Sequence, residues 1–170
     1  MNAAPLPEVW LRGPVAGVPP TLQPAVHALM QAAEDIEAAA ASLSTENMWH
    51  TPGGAASVGF HLKHIGGSID RLLTYARGER LDDRQRRALA AEREADPTAD
   101  AASLVREAQA AINRGIEQIR ATPPETLGEP RTVGRGNLPS TVLGLIFHAA
   151  EHAQRHTGQV IATAKIVSRR

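Results

Sequence analysis

Apolar positions recur along much of this chain at the three-and-four spacing that marks one face of an α-helix. From Thr21 to about Leu43 the stripe is Leu22, Val26, Leu29, Ala33, Ile36 and Leu43, with Thr21 placed to cap and Pro24 in the first turn. Trp49-His50-Thr51-Pro52-Gly53-Gly54 then breaks the chain. A second helix is predicted from Ser57 to about Arg77, built on Val58, His61, Leu62, Ile65, Ile69, Leu72 and Leu73, with Gly78 as its stop. Leu81 to Glu94 is charged and helix-prone, and reads as a short solvated helix inside a connection. A third helix spans about Asp100 to Arg120 on Leu104, Val105, Ala108, Ile112, Ile116 and Ile119. The stretch from Ala121 to Pro139 is rich in proline and glycine and reads as a loop. A fourth helix runs from about Ser140 to Val167, roughly 28 residues and about 42 Å.

The first 20 residues are different. Pro5, Pro7, Pro14, Pro19 and Pro20 with Gly13 and Gly17 exclude helix and interior strand, so residues 1–20 are expected to form an extended arm. Val9, Trp10 and Leu11 are too apolar for a free tail, which points the arm onto the body of the protein or a second subunit. The resulting expectation is an all-α fold: one domain over residues 21–170, a four-helix bundle whose second and third helices are joined by a crossover.

Composition supports helix-on-helix packing. Aromatic residues are only 3% of the 170, leaving a core of Leu, Ile, Val and abundant Ala. Lys plus Arg is 18 and Asp plus Glu is 18, so the formal net charge is +0, without the basic excess that draws in a nucleic-acid backbone. The basic cluster of Arg84, Arg86, Arg87 and Arg93 is interleaved with Asp82, Asp83, Glu92 and Glu94, as on an ion-paired surface. With no cysteine, thiolate catalysis and Cys-ligated metal sites are excluded. No apolar run approaches the ~18 residues of a membrane span, and the N-terminus lacks a signal core, so a cytoplasmic protein is expected.

The candidate chemistry lies in the histidines. His148, His152 and His156 are each four residues apart on the fourth helix, and His61 and His64 sit three apart on the second. Imidazoles at i and i+4 share a face and reach one ion at about 2.0–2.1 Å. Positions eight apart are separated by about 12 Å along the axis, so one pair chelates and the third histidine does something else. One pair from the fourth helix and one ligand from the second make three protein ligands with a coordination position left for water or substrate. Glu151 points roughly 100° away from His152 and reads as part of a solvated face, and because HExxH needs the acid after its first histidine, that pattern is not met. Asp70 reads equally as a holder of a histidine N–H or as a charge on the helix surface; His27 and His50 stand apart.

Ser57 to Leu81 (SVGFHLKHIGGSIDRLLTYARGERL) and His148 to Lys165 (HAAEHAQRHTGQVIATAK) closely resemble the DinB-like superfamily of bacterial proteins. Trp10-Leu11-Arg12-Gly13-Pro14 and Trp49 to Gly54 resemble one of its branches, so the likeness covers most of the chain. It implies a usually dimeric four-helix bundle holding a divalent ion on three histidines, which by position are His64, His152 and His156. Thr157 departs from the arginine common before Gly158-Gln159. His61, His148 and Gln159 would then surround the ligands. The family includes enzymes that act with low-molecular-weight thiols, which implies a thiol-dependent transferase or a hydrolase whose ion activates a thiol or water. A stress-associated metal-binding bundle without turnover is the alternative. Three imidazoles suit zinc or nickel, with iron and copper also within their range. The expected partners are a second copy of the chain and a small-molecule substrate, with no nucleic acid or membrane.

Overall fold

The computed structural model describes residues 6–169; the first five residues of the arm and Arg170 lie outside the described residues. The fold is mostly helical. Helix α1 (Gln23–Ala40) is followed by a short α2 (Thr45–Trp49), then α3 (Val58–Ala76), α4 (Asp83–Ala91) and α5 (Ala101–Arg120). Strands β1 (Pro130–Val133) and β2 (Leu138–Thr141) precede the long α6 (Val142–Val167).

Each helix boundary has a local cause. Ser57, Asp100 and Thr141 cap α3, α5 and α6, accepting from the backbone N–H groups of Phe60, Ser103 and Gly144. Gly78 takes φ +78°, and it and Glu79 donate to the carbonyls of Tyr75 and Thr74, closing α3 as a Schellman turn. Thr21 does not cap α1 as expected. Pro20–Leu22 form a 3₁₀ turn that leads into the helix, and Leu22 stands at its N-cap. Helix α2, capped by Ser44, falls within and before the expected break; its five residues are too few to carry a periodic signal.

The expected loop before α6 contains an antiparallel hairpin that pairs Pro130 with Thr141 and Val133 with Leu138 around a Gly134–Asn137 turn. This corrects the all-α expectation by one small two-stranded sheet. A ribbon of two strands has only edges, so Pro130 and Pro139 need not give up a ladder hydrogen bond. Arg131 Nε donates to the carbonyl of Ala76 at 2.8 Å, fastening the hairpin to the end of α3.

The four long helices pack in pairs: α3 against α6 and α5, and α1 against the same two. Along α3 and α5 the facing residues ascend together. Gly66 meets Ala108 and Ala111, Ile69 and Leu73 meet Gly115, and the Leu73 carbonyl accepts from Gln118, so these helices run side by side in one direction. Their common core is aliphatic, with Leu29, Ile36, Leu62, Ile65, Ile112 and Ile146 essentially inaccessible.

The described part of the arm is not wholly extended, since Val9–Leu11 form a 3₁₀ turn, but it does lie on the body. Val9 is buried and donates its N–H to Gln31 on α1, while Arg12 forks onto Glu34 at 2.6 and 2.8 Å. His27 contacts the Gly13 carbonyl at 3.1 Å. Trp10 and Leu11 remain exposed.

Truncation separates core from surface. Ile36 is fully buried, so Ile36→Ala should lower unfolding free energy by about 2–5 kcal/mol in urea. Leu89, 45% exposed on α4, should change it by only about 0.5 kcal/mol on truncation to Ala.

Candidate metal centre

Helices α3 and α6 carry the histidines into their shared interface. One turn of α3 separates His61 from His64, and one turn of α6 separates His152 from His156. Ring nitrogens of His64, His152 and His156 all lie within 4.8 Å of one another. His64 Nε2 is 2.8 Å from His152 Nε2, and His61 Nδ1 is 2.9 Å from His156 Nδ1. His61 is buried, and Phe60 stacks on the His64 ring with centroids 5.3 Å apart.

The third histidine of α6 is placed differently. The His148 side chain is 50% exposed, with Nδ1 3.3 Å from Glu151, although its ring still lies 5.3 Å from that of His152. Gln159 is exposed and makes no hydrogen bond to the cluster among the described residues. Glu151 pairs with Arg155 and stays at the surface side of the helix.

The carboxylate beside the cluster is Glu92, in the segment whose charge pattern predicts a solvated, ion-paired surface. His64 Nδ1 lies 2.7 Å from Glu92 Oε2, and Arg71 donates to Glu92 Oε1 at 2.6 Å. Both Glu92 and Arg71 are buried. Asp70, a candidate partner of a histidine, instead accepts from Arg84 and Gln85 at 3.3 and 3.0 Å. The helix around Glu92 is therefore not simply solvated, since Gln85 is also buried. Gly67 explains how the carboxylate enters. A Cβ there would fall 2.5 Å from Glu92 Oε1 and 2.6 Å from Arg71 Nη1. Glycine inside a helix costs about 1 kcal/mol relative to alanine, so Gly66-Gly67 in mid-α3 was the available signal of a close approach.

Burial works against protonation of three of the rings. Burial, reinforced by the neighbouring His64, pushes His61 down to about 4. Burial and then the surrounding His64, His152 and His61 push His156 down to about 4 as well. His152 is lowered by burial first, then by His64, His148 and Arg155, against an upward pull from Glu151. Burial alone would raise the Glu92 carboxyl, but the hydrogen bonds from His64 and Arg71 and the charges of those groups leave it lowered. An ionised carboxylate only accepts, so His64 Nδ1 carries a proton, and Nε2 is the nitrogen that faces the cluster.

Residues 28–160 match the sequence profile of the DinB superfamily. The chain belongs to the DinB superfamily. No protein of the curated set matches it. A divalent ion fits this DinB site: imidazole nitrogens converge from two helices, and buried His152 Nδ1 has no hydrogen-bond partner among the described residues. No helix is long and apolar enough to cross a membrane among the described residues.

The depressed histidines set a pH dependence for the metal-free protein. Their folded values lie below the ordinary 6.5, so their contribution to stability is complete above about 6.5 and is lost as pH falls toward 4. The melting temperature of metal-free protein should fall steadily between pH 6.5 and 4.5, and fall less in His61→Gln/His156→Gln. Equal pH dependence in the two proteins would contradict this assignment.

Proposed function

We propose that this DinB protein is a metal-dependent enzyme in which His64, His152 and His156 hold one divalent ion. The observation that carries the reading is the convergence of their three ring nitrogens within 4.8 Å. Zinc or nickel suits three imidazoles best in this reading, with iron also compatible. An ion held by His64, His152 and His156 would supply Lewis acidity, which would make a water or thiol beside it more acidic and available as a nucleophile at neutral pH. The reaction class is thiol-dependent group transfer or hydrolysis, and a low-molecular-weight thiol is the expected co-substrate of the first.

The chain's own residues do the rest. Glu92 accepts the His64 Nδ1 proton and keeps Nε2 available. Phe60 covers one face of His64 and excludes water from it, with the Arg93 guanidinium 4.8 Å from the Phe60 ring centre. His148, half exposed one turn from His152, would line the rim of the pocket beside the ligands.

The reading extends to architecture: an arm over residues 1–20 and one four-helix-bundle domain over 21–170, with α3 and α5 joined by a crossover. A cytoplasmic homodimer without nucleic-acid or membrane partners completes it. One observation favours the non-catalytic alternative, a metal-binding bundle serving stability or stress sensing. His61 Nδ1 is 2.9 Å from His156 Nδ1, close enough to become a fourth protein ligand after a small ring rotation.

Cobalt distinguishes the two. Cobalt(II)-loaded protein treated with a small thiol should develop a sulfur-to-cobalt charge-transfer band, because thiolate enters the vacant position. An absorption spectrum unmoved by thiol, and moved by His61→Ala, would establish the closed alternative instead.

A further inference from the structure

The segment that carries Glu92 is held in an unusual way. Leu89, the large apolar residue of α4, is largely exposed, so hydrophobic burial does not seat this helix. Polar contacts do. The buried Gln85 side chain donates to Thr74 Oγ1 at 2.7 Å and to Asp70 at 3.0 Å, and also closes the capping box with Asp82 at the start of α4. At the other end Lys63 Nζ donates to the carbonyls of Ala91 and Glu94 at 3.0 and 2.9 Å, satisfying groups the helix leaves open. Trp49 Nε1 then donates to the Asp96 carbonyl at 3.0 Å. These clamps flank one residue, Glu92, whose two oxygens are taken by Arg71 and His64.

We propose that Glu92 is the positioning residue of the histidine cluster, its carboxylate fixed by Arg71 in the notch left by Gly67 and holding His64 with Nδ1–H outward and Nε2 toward His152 and His156. This inference rests on the metal-centre reading and deepens it. A free neutral imidazole exchanges between two tautomers and turns about its side-chain bonds. A fixed acceptor on Nδ1 selects one tautomer and one ring orientation, and it strengthens the opposite nitrogen as a donor to a cation. Arg71 supplies the charge that makes a buried carboxylate tenable, and it leaves Oε2 for His64. Glu92 thus acts on the cation only through His64, and α4 with its flanks is the strap that delivers it.

Zinc is the probe, with the full chain in two variants. Glu92→Gln keeps shape and removes charge; Arg71→Met/Glu92→Leu removes both charges together, so no buried ion is stranded if the first fails to fold. Zinc dissociation constants come from competition with a chromophoric chelator, and ¹⁵N spectra of metal-free protein report the His64 tautomer. Weakening by about 10- to 100-fold in zinc affinity is expected, with the single Nδ1–H tautomer of the wild type giving way to a mixture. Ile36→Ala, a core truncation, should leave both readouts unchanged. A folded double variant with wild-type tautomer and zinc affinity overturns the role of Glu92. A wild type that binds no zinc, yet loses its tautomer in the variants, supports Glu92's hold on His64 and overturns the metal-centre reading alone.

Discussion

The packing of α3 against α6 is the contact from which the rest of the structure follows. Helix α6 buries Ala149, Ala150 and Ala153 beside its histidines, and α3 buries Leu62 and Ile65 beside its own. Small residues let helix axes approach closely, so imidazoles projecting from both can meet nitrogen to nitrogen. The apolar stripes fix the rotation of each helix, and that rotation places His64, His152 and His156 at one point. The cluster is a by-product of core packing in its location and a departure from it in its chemistry.

Polar groups in such an interior need a fixed set of partners. Burial lowers His61, His152 and His156, favouring their unprotonated rings, and Glu92 remains charged between Arg71 and His64. Both solutions push in the same direction: imidazole lone pairs are kept available to a cation while the compensating negative charge sits one bond network away. The long excursion between α3 and α5 has a purpose in this arrangement, since it is the element that returns a carboxylate to the middle of α3.

The long helices were legible because each carries a sustained apolar stripe with a capping residue and, for α3, Gly78 as a stop. The i and i+4 spacing narrowed the α6 ligands to a pair, while the choice of His152 and His156 over His148 came from family resemblance. Short elements were not legible. Helix α2 and the hairpin are held by tertiary contacts such as Arg131 to the Ala76 carbonyl, which leave no period in the sequence. Glu92 was hidden for a related reason. It sits among Arg93, Glu94 and other charges typical of solvated helix, and only the packing of α4 over Gly67 distinguishes it from Glu94. Asp70 shares a helix with the histidines, yet its side chain serves α4 instead.

The central claim is that three histidines from two helices hold a metal ion, and elemental analysis of the protein purified without an affinity tag tests it most directly. His152→Ala/His156→Ala, which removes the α6 pair and leaves His61 and His64, is measured alongside. About one divalent ion per chain in the wild type and none in the variant is the result this account requires. A wild type that remains free of metal after reconstitution with zinc, nickel and iron would contradict it and leave the histidines as architecture.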